Sequence, residues 1–463
     1  MTTAEGHFLM HAYFPYLYAS ILYSKGDRCP LKYKNQLKVK QIFFTKAPNA
    51  ELAPANPFSS AGTFKNLTTS MNKFLRFSSA LIICHVLCCL SFAESLKSNR
   101  GSVYEVYPPA PPNDGILFVD HTPAGRSGHL GHALVEYADG KILAFYPNCS
   151  NDNKGHSAVG WMEYKRSEDG GETWSDPEVL SYSKQLFESG QNGGPEGEKF
   201  SAFAEKAILT DNGDIVLFFL VCNITTDTVW RRFQIPTYII SRDQGQTWSE
   251  PLTVVNERGR VYDARYVDGE ILALFFENDN EINFLGNRPE HVYELYASKD
   301  GGRSFTKRSQ LPFDTEGKSY GTMEQLESGS LVVYIYNRND EFNMDYVLSD
   351  NGGRTWSEVE TSHFAKKIRN PQLTRMNGSY FLYGRSGSLG KEKGHMVLYS
   401  SSDGLNWDEG VFLRMRENGL GAYSNGLVVG ALNPDRKNRL LIQASHAYEL
   451  SNTNVLHWWI DTP

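Results

Sequence analysis

"SEDGGETW" occupies Ser167–Trp174, and the same polar turn followed by an aromatic residue recurs along the chain. The copies are "SRDQGQTW" from Ser241, "SKDGGRSF" from Ser298, "SDNGGRTW" from Ser349 and the shorter "SSDGLNW" from Ser401. They begin 74, 57, 51 and 52 residues apart. A nearly fixed period of about 50 residues is typical of stacked supersecondary units. The repeat therefore predicts architecture before it predicts chemistry.

The residues of the motif suit a tight turn between strands. Asp can accept hydrogen bonds from the backbone two residues on, Gly accepts a positive φ, and the closing Trp or Phe has a defined place in which to bury its ring. No closing Glu of a calcium loop follows any copy. We therefore interpret the Asp residues of the motif as turn-stabilising residues rather than metal ligands or catalytic groups.

A second repeat alternates with the first and predicts the strands. Each unit has a Gly or Asn turn followed by a short apolar run, which is typical of a buried strand. The six units are "ADGKILAFYP" (138–147), "DNGDIVLFFLV" (211–221), "VDGEILALFFE" (267–277), "ESGSLVVYIYN" (327–337), "MNGSYFLYGR" (376–385) and "RKNRLLIQAS" (436–445). In the sixth unit "VLHWWID" replaces the strand that elsewhere ends in the polar turn. No stretch shows sustained helical periodicity. Six such units predict an all-β chain, a six-bladed β-propeller of four-stranded antiparallel blades.

Repeated S-x-D-x-G-x-T-W turns in a six-unit all-β chain resemble the Asp-box, or BNR, repeats of the sialidase superfamily. The resemblance covers about residues 115–463. It implies a propeller with the boxes at its periphery. Because such boxes also occur in proteins with other chemistry, the resemblance implies the fold more specifically than the activity.

The N-terminal part of the sequence predicts export. "MNKFLRFSSALIICHVLCCLSFAES" starts at Met71 with two basic residues, continues into an apolar run and ends in a small-residue pattern at Ala93, as secretory signal peptides do. We expect a non-native or disordered extension at 1–70, a signal peptide at 71–93, a linker at 94–114 and the propeller at 115–463. A signal anchor is the alternative. The predicted location is secreted or periplasmic, with no membrane span in the mature chain.

Charge and cysteine content limit the partners and the covalent chemistry. The net charge is −7 and no basic stripe is present, which argues against nucleic acid as a partner. After the signal only Cys149 and Cys222 remain, each nine residues after the turn Gly of its repeat. An oxidising compartment would allow a disulfide between them, whereas equivalent positions in adjacent blades are widely spaced for its geometry. Both states remain open.

The repeat alignment also locates a candidate site, because the start of each inner strand and the end of the next strand meet at one mouth of a propeller. Positions about eight residues before each turn Gly are polar or aromatic: His132, Glu205, Asp263, Tyr320, Arg369 with Asn370, and Tyr423. Positions seven to ten residues after the turn are Asn148, Asn223, Glu277, Arg338, Arg385 and His446, with Asp152 just beyond. Arginines suit a carboxylate, and a tyrosine can serve as a nucleophile.

The resemblance to sialidases implies roles for some of these residues. Tyr423 in "GAYSNGLVV" matches the tyrosine nucleophile that opens the last blade. Arg338 in "YIYNRND" matches one carboxylate-binding arginine with a shift of about two residues, and Arg385 or Arg369 is the candidate for another. Asp152 lies in the loop that supplies the acid.

Two positions depart from the family pattern. Its first arginine stands in an R-I-P motif, where this chain has "GHLGHALVE" with His129 and His132. Its glutamate beside the tyrosine comes from the start of the fourth blade, where this chain has Tyr320, with Glu324 four residues later. The arginine triad and the Tyr/Glu couple are therefore incomplete in the sequence.

Three functions remain open. The first is a sialidase-like exo-glycoside hydrolase for terminal sialic acid or a related acidic sugar, with Tyr423, Asp152, Glu277 and Tyr320 as catalytic candidates. The second is an acidic-polysaccharide lyase, in which His132 or His446 acts with Tyr423 or Tyr320. The third is a propeller that binds glycans or proteins without catalysis. The substrate-binding candidates are Arg338, Arg385, Arg369, His132, Asp263, His446 and Glu205. No cofactor and no metal site is predicted, and an acidic glycan is the expected partner.

Overall fold

The computed structural model describes residues 104–108, 115–152, 156–189, 198–225, 231–280, 284–387, 394–414, 423–446 and 452–463. All of them belong to a compact unit that spans 83–463. The predicted extension and signal peptide lie outside the described residues, and the predicted linker is described only at 104–108. No helix within the described ranges is long and apolar enough to cross a bilayer.

The first half of the described chain forms two N-terminal strands and three blades. The N-terminal strands are β1 (Glu105–Tyr107) and β2 (Ile116–Val119). Blade one contains β3 (Arg126–Ser127), β4 (Ala133–Ala138), β5 (Lys141–Ser150), β6 (Gly160–Ser167) and β7 (Glu178–Val179). Blade two contains β8 (Phe200–Leu209), β9 (Ile215–Asn223), β10 (Arg231–Phe233), β11 (Thr237–Ser241) and β12 (Leu252–Thr253). Blade three contains β13 (Gly259–Val267), β14 (Glu270–Glu277), β15 (Tyr293–Ser298) and β16 (Thr306–Gln310).

Three further blades complete the propeller. Blade four contains β17 (Lys318–Gln325), β18 (Leu331–Asn337), β19 (Asn343–Ser349) and β20 (Glu360–His363). Blade five contains β21 (Arg369–Met376), β22 (Ser379–Arg385), β23 (Met396–Ser401) and β24 (Val411–Arg414). Blade six contains β25 (Ser424–Val429), β26 (Arg439–Ser445) and β27 (Val455–Asp461). The six-bladed propeller of antiparallel sheets is as predicted.

Blade six is completed by the N-terminal strands. Both β1 and β2 pair antiparallel with β27, the "VLHWWID" strand, so that Val106 lies opposite Ile460 and Ile116 opposite His457. The inner strands β4, β8, β13, β17, β21 and β25 contact one another in sequence, and β25 returns to β4. The ring is therefore closed by pairing the two ends of the folded chain. One helix occurs among the described residues, α1 (Ser181–Ser189). It packs on β6 and β8, and the sequence pattern did not predict it.

The repeated polar turns join neighbouring blades. In the third copy, the backbone amide of Gly302 donates to Ser298 Oγ at 2.9 Å and that of Ser304 donates to Asp300 Oδ1 at 3.0 Å. The aromatic residue of each copy packs on the preceding blade: Phe305 on Tyr238, Trp356 against Ser309, Trp407 against Tyr334, Trp248 on Phe145 and Trp174 on Phe118. The five copies thus supply such a contact at five of the six interfaces between blades.

The hydrophobic core fills the spaces between blades. Phe218 of blade two and Phe275 of blade three, for example, belong to one fully buried cluster. Cys149 and Cys222 are both buried in another, and both are free thiols. Burial raises the pKa of the Cys149 thiol to about 12. Of the two states that the sequence left open, the structure contains the free thiols rather than the disulfide.

Candidate functional site

Four inner strands carry a β-bulge near their first residues, and the residues that the bulges leave unpaired meet near the axis. The register of β8 on β9 skips Glu205, that of β13 on β14 skips Tyr262, and that of β17 on β18 skips Tyr320. The register of β21 on β22 skips Asn370 and Pro371. A bulge leaves its extra residue out of the ladder and redirects its side chain. All five skipped residues line one cavity.

The cavity lies where the inner strands begin and is mostly polar. Its volume is about 30 Å³, enough for a water molecule or a small polar group of a ligand. His132, Arg260, Gln372, Tyr423 and Ser424 line it together with the bulge residues. The side-chain amide of Asn370, Gln372 Oε1 and Ser424 Oγ have no hydrogen-bond partner among the described residues. These atoms are therefore available to water or to a ligand.

The bulges place two residues in strained backbone conformations. Tyr320 has φ 49° and Asn370 has φ 52°, in the left-handed region that non-glycine residues seldom occupy. Such strain costs about 1 to 3 kcal/mol and is concentrated at functional sites. The strain therefore marks this cavity as the candidate site of the propeller.

Glu205 and Arg260 form a buried ion pair across the boundary of blades two and three. Arg260 Nη2 lies 2.7 Å and Nε 3.1 Å from Glu205 Oε2, and Nη2 lies 3.0 Å from Oε1. Both residues are less than 9% exposed. The pair neutralises both charges in the wall of the cavity. Neither charge is then left over for a substrate.

Tyr320 and Tyr423 approach each other from blades four and six. Their hydroxyl oxygens are 3.2 Å apart. Burial and the neighbouring Tyr320 raise the pKa of Tyr423 well above its usual value. Burial acts in the same direction on Tyr320, but Arg369, Arg385 and Arg260 outweigh it and lower the pKa of that phenol. One hydroxyl of the pair therefore holds its proton tightly while the other releases it more easily.

Arg369 and Arg385 supply the positive charge of the site. The guanidinium carbon of Arg385 lies 5.6 Å from the centre of the Tyr423 ring. That of Arg369 lies 4.8 Å from the ring of Phe284 and 5.7 Å from the ring of Tyr320. Both arginines are buried. They are well placed to attract an anion to the two hydroxyls.

The histidines of "GHLGHALVE" are buried and neutral. The ring of His129 is 5.0 Å from that of Tyr423 and 4.2 Å from that of His156. Burial, together with His156 and Arg385, holds the pKa of His129 well below its usual range. Burial likewise lowers the pKa of His132 to about 3, and its Nδ1 lies 3.1 Å from Gln443 Nε2. These rings shape the wall of the site without adding charge to it.

Asp263 belongs to a network that ties blades two, three and four together. It accepts hydrogen bonds from Arg265 at 2.8 Å, Thr322 Oγ1 at 3.0 Å and the Met323 amide at 2.9 Å. Lys206 Nζ lies 3.1 Å from Asp263 Oδ1, the oxygen that also accepts from Arg265. Asp263 is fully buried and does not line the cavity. Asp263 therefore has a structural role in joining the blades around the site.

Four other sequence candidates lie away from the cavity wall. Asp152 is exposed and accepts a hydrogen bond from Ser150 Oγ at 2.8 Å. Glu277 is half-buried at the end of β14, where burial and nearby carboxylates raise its pKa. Arg338 is 3.9 Å from Glu341. The amide of His446 donates to Asn454 O at 2.7 Å. Of these residues, only Asp152 lies in the loop that the resemblance associates with an acid.

Sequence reasoning missed Arg260 and Tyr262, which line the cavity in blade three. The offset of eight or nine residues before the turn Gly, which selects Tyr320 and Arg369, falls on Val261 and Arg260 in this blade. Asp263, which was selected instead, lies only six residues before Gly269. Tyr262 is the residue that the bulge in β13 leaves unpaired.

The family comparisons agree with this architecture. Residues 265–449 match a model described as a BNR repeat-like domain, and residues 239–250 match the BNR/Asp-box repeat. None of the curated proteins matches the chain.

Solved structures with the same fold include a protein of unknown function from Dyadobacter fermentans. It shares 13% identity over 79% of this chain and 99% of its own, with a TM-score of 0.55. A mutant of the NanB sialidase from Streptococcus pneumoniae shares 11% identity over 75% of this chain and 71% of its own, with a TM-score of 0.53. At these identities the comparison shows the fold alone.

Proposed function

We propose that this chain, a sialidase-like BNR-repeat propeller, is an exported glycoside hydrolase that releases a terminal acidic sugar, sialic acid or a relative, from a glycan. The main support is the 3.2 Å approach of the Tyr423 and Tyr320 hydroxyls beside two buried arginines. A tyrosine is the nucleophile that sialidases use where most glycosidases have a second carboxylate. Export rests on the signal-like segment 71–93.

Arg369 and Arg385 are proposed to bind the sugar carboxylate. Arg260 is fully engaged by Glu205, so it contributes less to an incoming anion. A charge-assisted hydrogen bond to guanidinium contributes about 1.5 to 3 kcal/mol. Two such arginines would select acidic sugars over neutral ones and orient the anomeric carbon toward Tyr423.

The reaction would proceed by double displacement. The Tyr423 oxygen attacks the anomeric carbon and passes its proton to a neighbouring base, while Asp152 protonates the departing glycosidic oxygen. Water then attacks the same carbon and gives one proton to Asp152, and the Tyr423 oxygen takes its proton back from the base as its bond to the carbon breaks. Two inversions leave the configuration of the sugar unchanged. Asp152 is exposed at the end of the described part of its loop, where solvent can exchange its proton.

The experiment is a screen of the purified protein on a panel of acidic glycans with two readouts. Hydrolysis releases free acidic sugar without new ultraviolet absorbance. The expected result is release from at least one acidic glycan, with none from neutral analogues, and its loss in Tyr423→Phe. Unchanged release by Tyr423→Phe would remove this residue from the mechanism.

A lyase is the second candidate, and one observation favours it. No carboxylate of the described residues contacts the hydroxyl of Tyr423, whereas the arginines lower the pKa of Tyr320. A phenolate beside arginines could remove the proton next to a uronate carboxylate and eliminate the glycosidic oxygen. The unsaturated product absorbs in the ultraviolet, so the same screen separates the two reactions. Binding without either signal would support the non-catalytic alternative.

A further inference from the structure

Arg369 is a buried cation without a carboxylate partner in the described part of the chain. Arg369 is only 8% exposed. Its guanidinium carbon lies 4.8 Å from the ring of Phe284, 5.6 Å from that of Tyr336 and 5.7 Å from that of Tyr320. Burying an ion without an opposite charge costs several kcal/mol. Some group near Arg369 must therefore supply negative charge.

Two buried carboxylates next to this cluster are already engaged. Glu341 accepts a hydrogen bond from the Tyr336 hydroxyl at 2.7 Å and lies 3.5 Å from Lys367 Nζ. Glu205 makes three hydrogen bonds to Arg260, whose guanidinium carbon lies 5.6 Å from the ring of Tyr320 on the boundary with blade three. That pair is neutral as a unit. Glu205 is therefore not available to compensate the charge of Arg369.

The remaining candidates for the anion are phenols, and their hydrogen bonds distinguish them. Tyr336 donates its hydroxyl proton to Glu341 Oε1 at 2.7 Å, which fixes it as a neutral phenol. Tyr423 lies beyond Tyr320, with its pKa raised by burial. Tyr320 can accept a hydrogen bond from Tyr423 at 3.2 Å, and the three arginines lower its pKa. The strained φ of 49° holds its ring in this position.

We propose that Tyr320 is the resting anion of the cavity, a phenolate that pairs with Arg369 and serves as the general base for Tyr423. This deepens the proposed hydrolase and depends on it for the catalytic step. As the Tyr423 oxygen bonds to the anomeric carbon, its proton passes to the Tyr320 oxygen. When water later displaces Tyr423, the proton returns from Tyr320 to the departing phenolate. No other reactant is needed, and the tyrosine pair carries the same single negative charge before and after each turnover.

The first test uses the protein without substrate, so that its outcome does not depend on the proposed reaction. Tyrosinate absorbance is titrated in the wild-type protein between about pH 6 and 9, below the ordinary tyrosine pKa of about 10. We expect tyrosinate equivalent to one residue in this range, and its loss in Tyr320→Phe. Arg369→Gln should move the transition to higher pH, because it removes a positive charge beside the phenolate that, unlike Arg260, is not paired with Glu205.

The matched control is Tyr346→Phe, which deletes a phenol that donates to Glu360 at 2.6 Å in blade four. Burial raises the pKa of Tyr346 to about 12, so this variant should keep the full signal. A wild-type protein with no tyrosinate in the range would overturn the proposal even if no variant folded. A signal that persists in folded Tyr320→Phe would overturn it as well.

The proposed role of Tyr320 as general base is tested separately, by kinetics. If the protein hydrolyses an acidic glycan, Tyr320→Phe should lower kcat far more than it raises KM, because the base contacts Tyr423 rather than substrate. A tyrosinate signal in a protein without hydrolysis would uphold the resting anion and refute the proposed function. Hydrolysis with an unchanged kcat in Tyr320→Phe would refute the general base.

Discussion

Glu205 and Arg260 are held together by three hydrogen bonds in the buried wall of the cavity. Removing one partner of such a pair leaves an uncompensated buried charge, which costs about 3 to 5 kcal/mol. We expect Glu205→Ala to lower the free energy of unfolding by about that amount in urea denaturation. The double variant Glu205→Ala with Arg260→Ala should lose less than the sum of the two single losses. Additive losses would show that the two side chains do not interact.

Tyr423→Phe tests the nucleophile. The change keeps the ring against His129 and deletes one oxygen, whose hydrogen bond is to Tyr320. We expect kcat on an acidic glycan to fall at least about 10³-fold, with a nearly unchanged Tm. Tyr346→Phe, outside the cavity, should retain full turnover. A Tyr423→Phe protein that is unfolded rather than inactive would instead point to a packing role.

The carboxylate-binding role is tested by comparing three arginines. Arg369→Gln and Arg385→Gln should each weaken the binding of acidic substrates by about 2 kcal/mol, or about thirtyfold, and leave neutral analogues unaffected. Arg338, which is one third exposed and 3.9 Å from Glu341, should have a smaller effect when changed to Ala. A larger effect at Arg338 would restore it to the role that the resemblance implied.

The fold was predictable because its signals are local and repeated. The polar turns and the apolar runs after each Gly specify six copies of one unit. The segment "VLHWWID" at 455–461 indicates the C-terminal strand of the last blade. The N-terminal strand that pairs with it, Glu105–Tyr107, has three residues and no motif. Its position follows from closure of the ring, a long-range relationship that no local pattern records.

The site was only partly predictable for a similar reason. Glu205, Tyr320, Arg369, Arg385 and Tyr423 were found by counting from the turns. Arg260 was missed because Asp263, six residues before Gly269, was selected in blade three, although Arg260 stands at the nine-residue offset that found Tyr320 and Arg369. The pairing of Tyr320 with Tyr423 joins residues 103 positions apart. Nothing in either local sequence indicates it.

The Asp residues of the repeated turns should matter for stability rather than turnover. Asp300 accepts hydrogen bonds from Ser298 Oγ, the Ser304 amide and Ser304 Oγ. We expect Asp300→Ala to cost about 1 to 2 kcal/mol of unfolding free energy. The fourth copy supplies the control, because Asn351 Oδ1 accepts from Ser349 Oγ and the Thr355 amide, while its Nδ2 donates to Thr355 Oγ1.

Asp300→Asn should accordingly lose less stability than Asp300→Ala. Both variants should keep the turnover of the wild type when activity is measured per folded molecule. Abolished turnover at an unchanged Tm would identify Asp300 as a catalytic group and contradict the structural role.

The same carboxylates predict how stability depends on pH. Hydrogen bonds lower the pKa of Asp169, mainly from Thr173, and of Asp243, mainly from Thr247, to about 2 from 3.8. The pKa of Asp300 also falls to about 2, since hydrogen bonds from Ser304 and Ser298 outweigh its partial burial. A folded-state pKa below the unfolded value adds stability that is fully present above the unfolded pKa and is lost as pH falls through the folded one. Stability should therefore decline between about pH 4 and pH 2.

The measurement is the urea midpoint at a series of pH values across this window. The triple variant Asp169→Asn, Asp243→Asn, Asp300→Asn replaces the three titrating groups with amides that keep acceptor oxygens, as Asn351 does in the fourth turn. We expect its midpoint to fall less steeply with pH than that of the wild type, because fewer protons are taken up on unfolding. Equal slopes in the two proteins would mean that acid weakens the propeller through other carboxylates, of which buried Asp263, with its lowered pKa, is the first to examine.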